Sequence, residues 1–171
     1  MKRTEVLHLR TAGIYAHPGD PGDLLPVVFG DLLSNEANSS DINAGGIVKG
    51  ILIDVTTWTY LLSDSACLPG VPLIYVEDVL QNPVVYEYNP IIDYEGHGAI
   101  AAVTFNTDPG GRNISALMAG TMDTGTGLLV TNPITAIQKF FMESGDWTAA
   151  DLDPTTIPAA RREADLQRYT I

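Results

Sequence analysis

Apolar residues in this chain come in short runs bounded by glycine, proline, asparagine and aspartate, a spacing that predicts strands. LPVVFG (residues 25–30) is the first such run, and GGIVKGILIDV (45–55) is the longest. TTWTYLLS (56–63) either continues that strand or returns as a hairpin. VPLIYVEDVL (71–80) and NPVVYEYNP (82–90) follow, the second alternating in period two between Val84 and Tyr88. GAIAAVTFNT (98–107), ISALMAG (114–120) and GLLVT (127–131) complete the set. The clusters HPGDPGD, SNEANSSD, CLPG, TDPGG and DTGTG are turn signals, and most of the 11 prolines sit at such boundaries, where they end or edge a strand. Strands recurring every ten or so residues, without helices between them, predict a mainly antiparallel β fold, a sandwich or a small barrel. There is no internal repeat.

After residue 131 the period changes. Asn132 is a candidate N-cap, and Pro133 suits the first helical position, where its fixed φ and missing N–H cost nothing. Ile134, Ile137, Phe140 and Phe141 fall at helical spacing and predict one buried face, with Gly145 as the stop. A second helix is expected over about residues 157–168. The expected division is a β-rich part, residues 1–131, with a C-terminal helical hairpin, 132–171, packed on it.

Composition narrows the function. With 171 residues, 45% of them hydrophobic, and a mean hydropathy of +0.09, the chain can bury a core. Its net charge of −12 argues against a nucleic acid or an anionic membrane as partner, because both select basic surfaces. No window approaches the length of an apolar membrane span, and the start, MKRTEVLHLRTAG, has no apolar core of a signal peptide. Synthesis and folding in the cytoplasm are therefore expected. Cys67 is the single cysteine, which excludes an internal disulfide and a thiolate zinc site.

The tract DTGTG poses the sharpest chemical question, since a Gly/Thr tract before a helix can cradle phosphate. A P-loop needs GxxxxGK[ST], which is absent. Gly125 and Gly127 supply two glycines of a dinucleotide fingerprint, but Val130 stands at the third position and LLVT separates the glycines from the helix. A hairpin turn followed by an edge strand fits better. His17 lies near Asp20 and Asp23, and His97 near Glu95, but turn-held loop residues explain both groupings, and His8 reads as a strand residue. Ser63 and Ser65 flank Asp64 in a loop without the GxSxG signature, and Cys67 reads as a semi-buried structural thiol. The acid pairs Asp93/Glu95 and Asp151/Asp153 are of a kind expected by chance in so acidic a chain. No catalytic, cofactor-binding or metal-ligating residue is expected. The aromatics Trp58, Tyr60, Tyr75, Tyr86, Tyr88 and Tyr94 read as core or as a protein-binding face. The interface candidates are Asp20 and Asp23 in the loop 19–24, Asn35 and Asn38 in the loop 34–45, and Tyr86 and Tyr88 on the strands.

The order of segments carries a resemblance. LPVVFGD near the start, IDVTTWTYLLS in the middle, the block GTGLLVTNPITAIQKFF and the closing DWTAADLDPTTIPAARREADLQRYTI together resemble the N-terminal region of tail-tip proteins. These are the baseplate hub and central-fibre proteins of long-tailed bacteriophages and gene transfer agents. The matching positions are residues 26–31, 125–133, 157–161 and 169–171. Family members run on well past the closing Tyr-x-Ile, so receptor-binding parts of a fibre are not expected in this stretch. The resemblance implies a structural virion protein without enzymatic activity or cofactor. It implies a place in a homo-oligomeric ring at the tail tip, touching tail-tube, tape-measure, hub or fibre subunits. Two alternatives stand beside it. One is a cell-wall hydrolase using His97, Glu95 and Asp93, or His17 with Asp20; the other is a carbohydrate- or calcium-binding β-sandwich.

Overall fold

The β-branched runs of the middle of the chain do form strands, and they pair as two four-stranded antiparallel sheets. A computed structural model describes residues 27–31, 33, 48–93, 99–110, 113–123, 125–143 and 148–166. The strands are β1 (Val48–Lys49), β2 (Ile51–Asp54), β3 (Thr59–Ser63), β4 (Leu73–Val76), β5 (Val79–Leu80), β6 (Tyr86–Asp93), β7 (Ala99–Phe105), β8 (Ile114–Leu117), β9 (Met122–Asp123) and β10 (Leu128–Leu129). One sheet has the order β1-β8-β4-β5, the other β2-β3-β7-β6, and β9 and β10 form a separate hairpin. Helices α1 (Pro133–Glu143) and α2 (Thr156–Leu166) follow. The chain is thus mainly antiparallel β with a C-terminal pair of helices.

The long run 45–55 does not stay in one sheet. Gly50 interrupts it, so that β1 pairs with β8 and β2 pairs with β3. A Cβ at Gly50 would lie 3.1 Å from Ile114 Cγ2, while the Gly50 N–H donates to the Ile114 carbonyl at 2.8 Å. One strand therefore turns the corner between the sheets, as at the edge of a barrel-like sandwich. A further backbone bond, Cys67 N–H to the Pro90 carbonyl at 2.9 Å, joins the segment before β4 to β6.

The stretch 56–63 returns as a hairpin. Asp54 Oδ1 accepts from the Thr56 and Thr57 amides, Oδ2 accepts from Thr57 Oγ1 at 2.8 Å, and Trp58 adopts φ 53°. These donors, Thr57 first, hold the Asp54 carboxyl below its ordinary value. The run 71–80, expected as one strand, is two: β4 and β5 meet through a two-residue turn at Glu77–Asp78, with φ 48° and 64°. Two successive positive φ values give the type I′ geometry that matches strand twist, here without the usual Asn-Gly. The run 82–90 also splits. Asn82 caps a 3₁₀ turn at Pro83–Val85, and β6 begins only at Tyr86.

The main core lies between the sheets, where Tyr60 and Leu62 of β3, Ile74 of β4, Val103 and Phe105 of β7 and Ile114 of β8 are buried. Tyr60 meets Phe105 edge-to-face at 5.8 Å. The opposite face of the second sheet buries Ile53, Leu61, Ile100 and Ala102. All five residues of β3 are buried, Tyr60, Leu61 and Leu62 as an apolar run between the polar ends Thr59 and Ser63.

Candidate functional site

The segments that carry the family resemblance are far apart in sequence, and the fold brings three of them together. Residues 118–122, beyond β8, form the ridge they share. The Thr121 amide donates to the Val28 carbonyl at 2.6 Å, the Gly120 amide to the Gly30 carbonyl at 2.8 Å, and Asp31 bridges to Ala119. The run 25–30, expected as a strand, is in its described part a backbone ledger against this ridge. On the same ridge the Val130 amide donates to the Thr121 carbonyl at 3.0 Å, and Gly30 donates to Val130 at 3.3 Å. A Cβ at Gly120 would lie 2.6 Å from the Val28 oxygen, which is why glycine stands there.

DTGTG is a hairpin turn between β9 and β10. Asp123 Oδ1 accepts from the Gly125 and Thr126 amides at 2.8 and 3.0 Å, and Gly127 takes φ 71°. Those amides, Thr126 first, hold the Asp123 carboxyl below its ordinary value. The amides face inward on the aspartate, in the manner of an Asx turn, so they are already committed.

Asn132 then caps α1: its Oδ1 accepts from the Ile134 and Thr135 amides at 2.9 and 3.3 Å. Its Nδ2 donates to the Arg161 carbonyl of α2 at 3.2 Å, and the Arg161 guanidinium bonds Gln138. One residue of the GTGLLVTNP block thereby ties the third segment, residues 157–161, to the second. The acids before α2 serve as caps. Asp151 Oδ2 accepts from Thr148 N and Oγ1, both at 2.7 Å, and Asp153 accepts from the amides and hydroxyls of Thr155 and Thr156. Both carboxyls are held below the ordinary range by these bonds, Asp151 chiefly by the Thr148 amide and Asp153 chiefly by the Thr155 hydroxyl.

Beneath the ridge runs a chain of hydroxyls that the sequence did not signal. Thr121 Oγ1 donates to the Val28 carbonyl at 2.6 Å and meets Ser65 Oγ at 2.7 Å, Ser65 Oγ meets Ser63 Oγ at 3.2 Å, and Ser63 Oγ accepts from the Val28 amide at 3.2 Å. Ser63 is the buried end of β3 and not a loop residue. Cys67 is fully buried beside these groups, deeper than the semi-buried position expected, and burial pushes its thiol up to about 11. Such a thiol is a structural one and not a nucleophile.

The interface candidates separate. Asp20, Asp23, Asn35 and Asn38 lie outside the described residues, as do His8, His17, Glu95, His97 and Tyr94. Tyr86 is only 7% exposed, and its hydroxyl donates to the Pro72 carbonyl at 2.8 Å; it is a core residue at the rim of the sandwich, not an open contact. Tyr88 is half-buried and packs on the same core, and burial raises its phenol above the ordinary value. Both alternate with exposed residues of β6 in a register that turns them inward. Asp93, at the end of β6, is exposed.

The exposed apolar side chains are elsewhere. On α1 the expected buried face is only half used. Ala136 packs inward, whereas Ile137 is 54% and Phe141 36% exposed, with Met142 beside them. Successive α-helical residues advance about 100° around the axis, and α1 turns its Ala136 edge, not the centre of its apolar arc, to the rest of the molecule. A second exposed apolar group is the β4–β5 hairpin with the 3₁₀ turn after it, where Val79, Leu80 and Val84 are exposed. Sequence reading missed both, because the pattern shows that a face is apolar but not what covers it.

Among the described residues no three His, Cys, Asp or Glu gather to hold a metal ion, and no helix is long and apolar enough to cross a membrane. No family model matches the chain, and no curated protein or solved structure matches it.

Proposed function

We propose that the chain is a structural protein of a bacteriophage tail tip or baseplate, acting through protein–protein contacts in a ring within the virion. The observation that carries this reading is the meeting of the resemblance segments. Val28 to Asp31, the turn-strand-cap block from Gly125 to Pro133, and the stretch around Arg161 are joined by backbone and cap hydrogen bonds. Residues that belong to one pattern in sequence thus form one structural unit, as a shared module requires. Exposed apolar side chains on α1, Ile137 and Met142 foremost, immediately after that block, add a surface suited to a partner. The partners of this reading are other copies of the chain and the tail-tube, tape-measure, hub or fibre subunits, with no nucleic acid, membrane or cofactor.

The test is the mass in solution by light scattering, for the protein alone and mixed with tail-tube and tape-measure proteins from the same phage. The reading expects a ring-sized oligomer, alone or on mixing. It also expects Ile137→Ser with Phe141→Ser to lower the assembled fraction at least tenfold while leaving the melting temperature nearly unchanged. A monomer that engages none of those proteins overturns it.

A further inference from the structure

Among the described residues the β4–β5 hairpin ends its sheet, and no strand pairs with its outer edge. β5 is the terminal strand in the order β1-β8-β4-β5. Val76 faces Val79 across the two-residue turn, Tyr75 faces Leu80, and the Gln81 amide donates to the Ile74 carbonyl at 2.8 Å. Antiparallel pairs alternate between bonded and non-bonded, so Leu80 occupies the non-bonded position and turns its N–H and C=O away from β4. Val79 and Leu80 are 63% and 51% exposed, an apolar edge of the kind that templates pairing with another strand.

Charge says what kind of strand fits. No lysine or arginine stands between Lys49 and Arg112, while eight acidic residues do, and Glu77 and Asp78 form the exposed tip of this hairpin. The cations are concentrated elsewhere: residues 1–10, MKRTEVLHLR, hold Lys2, Arg3 and Arg10 against the single acid Glu5. From Leu7 to Arg10 they alternate, Leu7 and Leu9 on one side and His8 and Arg10 on the other, as in a strand; Glu5 shares the first side and Val6 the second.

We infer that the free edge of β5 accepts residues 1–10 of a second copy of this chain by strand addition. Leu80 supplies the backbone pairing, Val79 and Leu80 the apolar contact, and Glu77 and Asp78 the attraction for Lys2, Arg3 and Arg10. Each copy gives one strand and receives one, so the contact is heterologous and propagates around an axis. The inference rests on the assembly reading above and supplies its contact.

The experiment titrates the fluorescent decapeptide MKRTEVLHLR with the full chain and follows anisotropy, while light scattering gives the mass of the same samples. The expected result is saturable binding that weakens about tenfold in Leu80→Pro, which removes the outward N–H donor. Asp78→Lys is expected to weaken it several-fold, and raising salt from about 0.05 M to about 0.3 M to weaken it further. A peptide with Lys2, Arg3 and Arg10 replaced by Glu should not bind. Melting curves show that both variants are folded; Asp78→Lys serves alone if Leu80→Pro is not. Absence of binding by the wild type, or equal binding by wild type and the folded variants, overturns the inference. An oligomer that forms regardless of both substitutions overturns it as well, and leaves the assembly reading standing. Peptide binding by a protein that stays monomeric at about 0.1 mM assigns the edge to the chain's own segment and overturns exchange between copies.

Discussion

Replacing Gly120 by alanine tests the ridge on which the resemblance segments meet. The new Cβ would lie 2.6 Å from the Val28 carbonyl oxygen, 2.8 Å from its carbon and 3.0 Å from the Gly30 oxygen. All three are backbone atoms, so no side-chain rotation relieves the contact, and the Val28–Gly30 segment must retreat from its bonds to Thr121 and Gly120. Over-packing of a fixed core costs about 1–3 kcal/mol, and displaced backbone puts this site toward the upper end, about 2.5 kcal/mol. Against that stands a gain of about 0.5 kcal/mol from the less flexible unfolded chain. The net loss is about 2 kcal/mol, which for a chain of this size lowers the melting temperature by roughly 4–8 °C. Gly70→Ala is the internal control, because a Cβ there meets nothing within 4 Å and only the unfolded-state gain remains. Thermal unfolding by circular dichroism at fixed pH and concentration measures both. A Gly120→Ala protein melting within about 1 °C of wild type would refute the packing of residues 28–30 on the ridge, and with it the structural unit on which the proposed function stands.

Three more outcomes are expected. Cys67, buried and with its thiol raised to about 11, should resist a thiol reagent at pH 8 in the folded protein and react fully in denaturant; rapid native labelling would contradict its burial. Asp123, Asp151 and Asp153 have carboxyls held below the ordinary value of 3.8 by hydrogen bonds that only the folded chain makes. Their contribution is present above that value and is lost as pH falls through the folded-state pKa values, so the melting temperature should drop on acidification below about pH 4, and less steeply in Asp153→Asn; an unchanged acid profile in that variant would count against the cap. Asp78→Gly relieves a left-handed residue costing about 1–2 kcal/mol and adds unfolded-state freedom worth about 0.4–1, so chemical denaturation should show a small stabilisation, about 0.5 kcal/mol, and a clear loss would contradict the φ of 64° at this turn.

Local chemistry determined much of what the sequence alone disclosed. Asn132 followed by Pro133 sets a helix start because a capping side chain and a residue without N–H suit that position in almost any surroundings. Asp123 followed by glycines sets a hairpin turn for the same reason, since the aspartate bonds its own following amides. β-branched runs bounded by turns announce antiparallel strands, and the fold class follows from them. What the tertiary structure decided depends on partners distant in sequence. Gly50 looks like an interruption in one strand until Ile114 is seen against it, where close approach makes it a corner between two sheets. VPLIYVEDVL reads as one strand because Glu and Asp are poor announcers of a type I′ turn; the bond from the Asn113 amide to the Glu77 carboxylate, 36 positions away, helps hold the turn. Tyr86 and Tyr88 were as suited to an interface as to a core until the register of β6 against β7 turned them inward. The apolar arc of α1 was legible from its period, but its exposure was not, because periodicity fixes a direction around a helix axis and only the packed neighbours fix what lies in that direction.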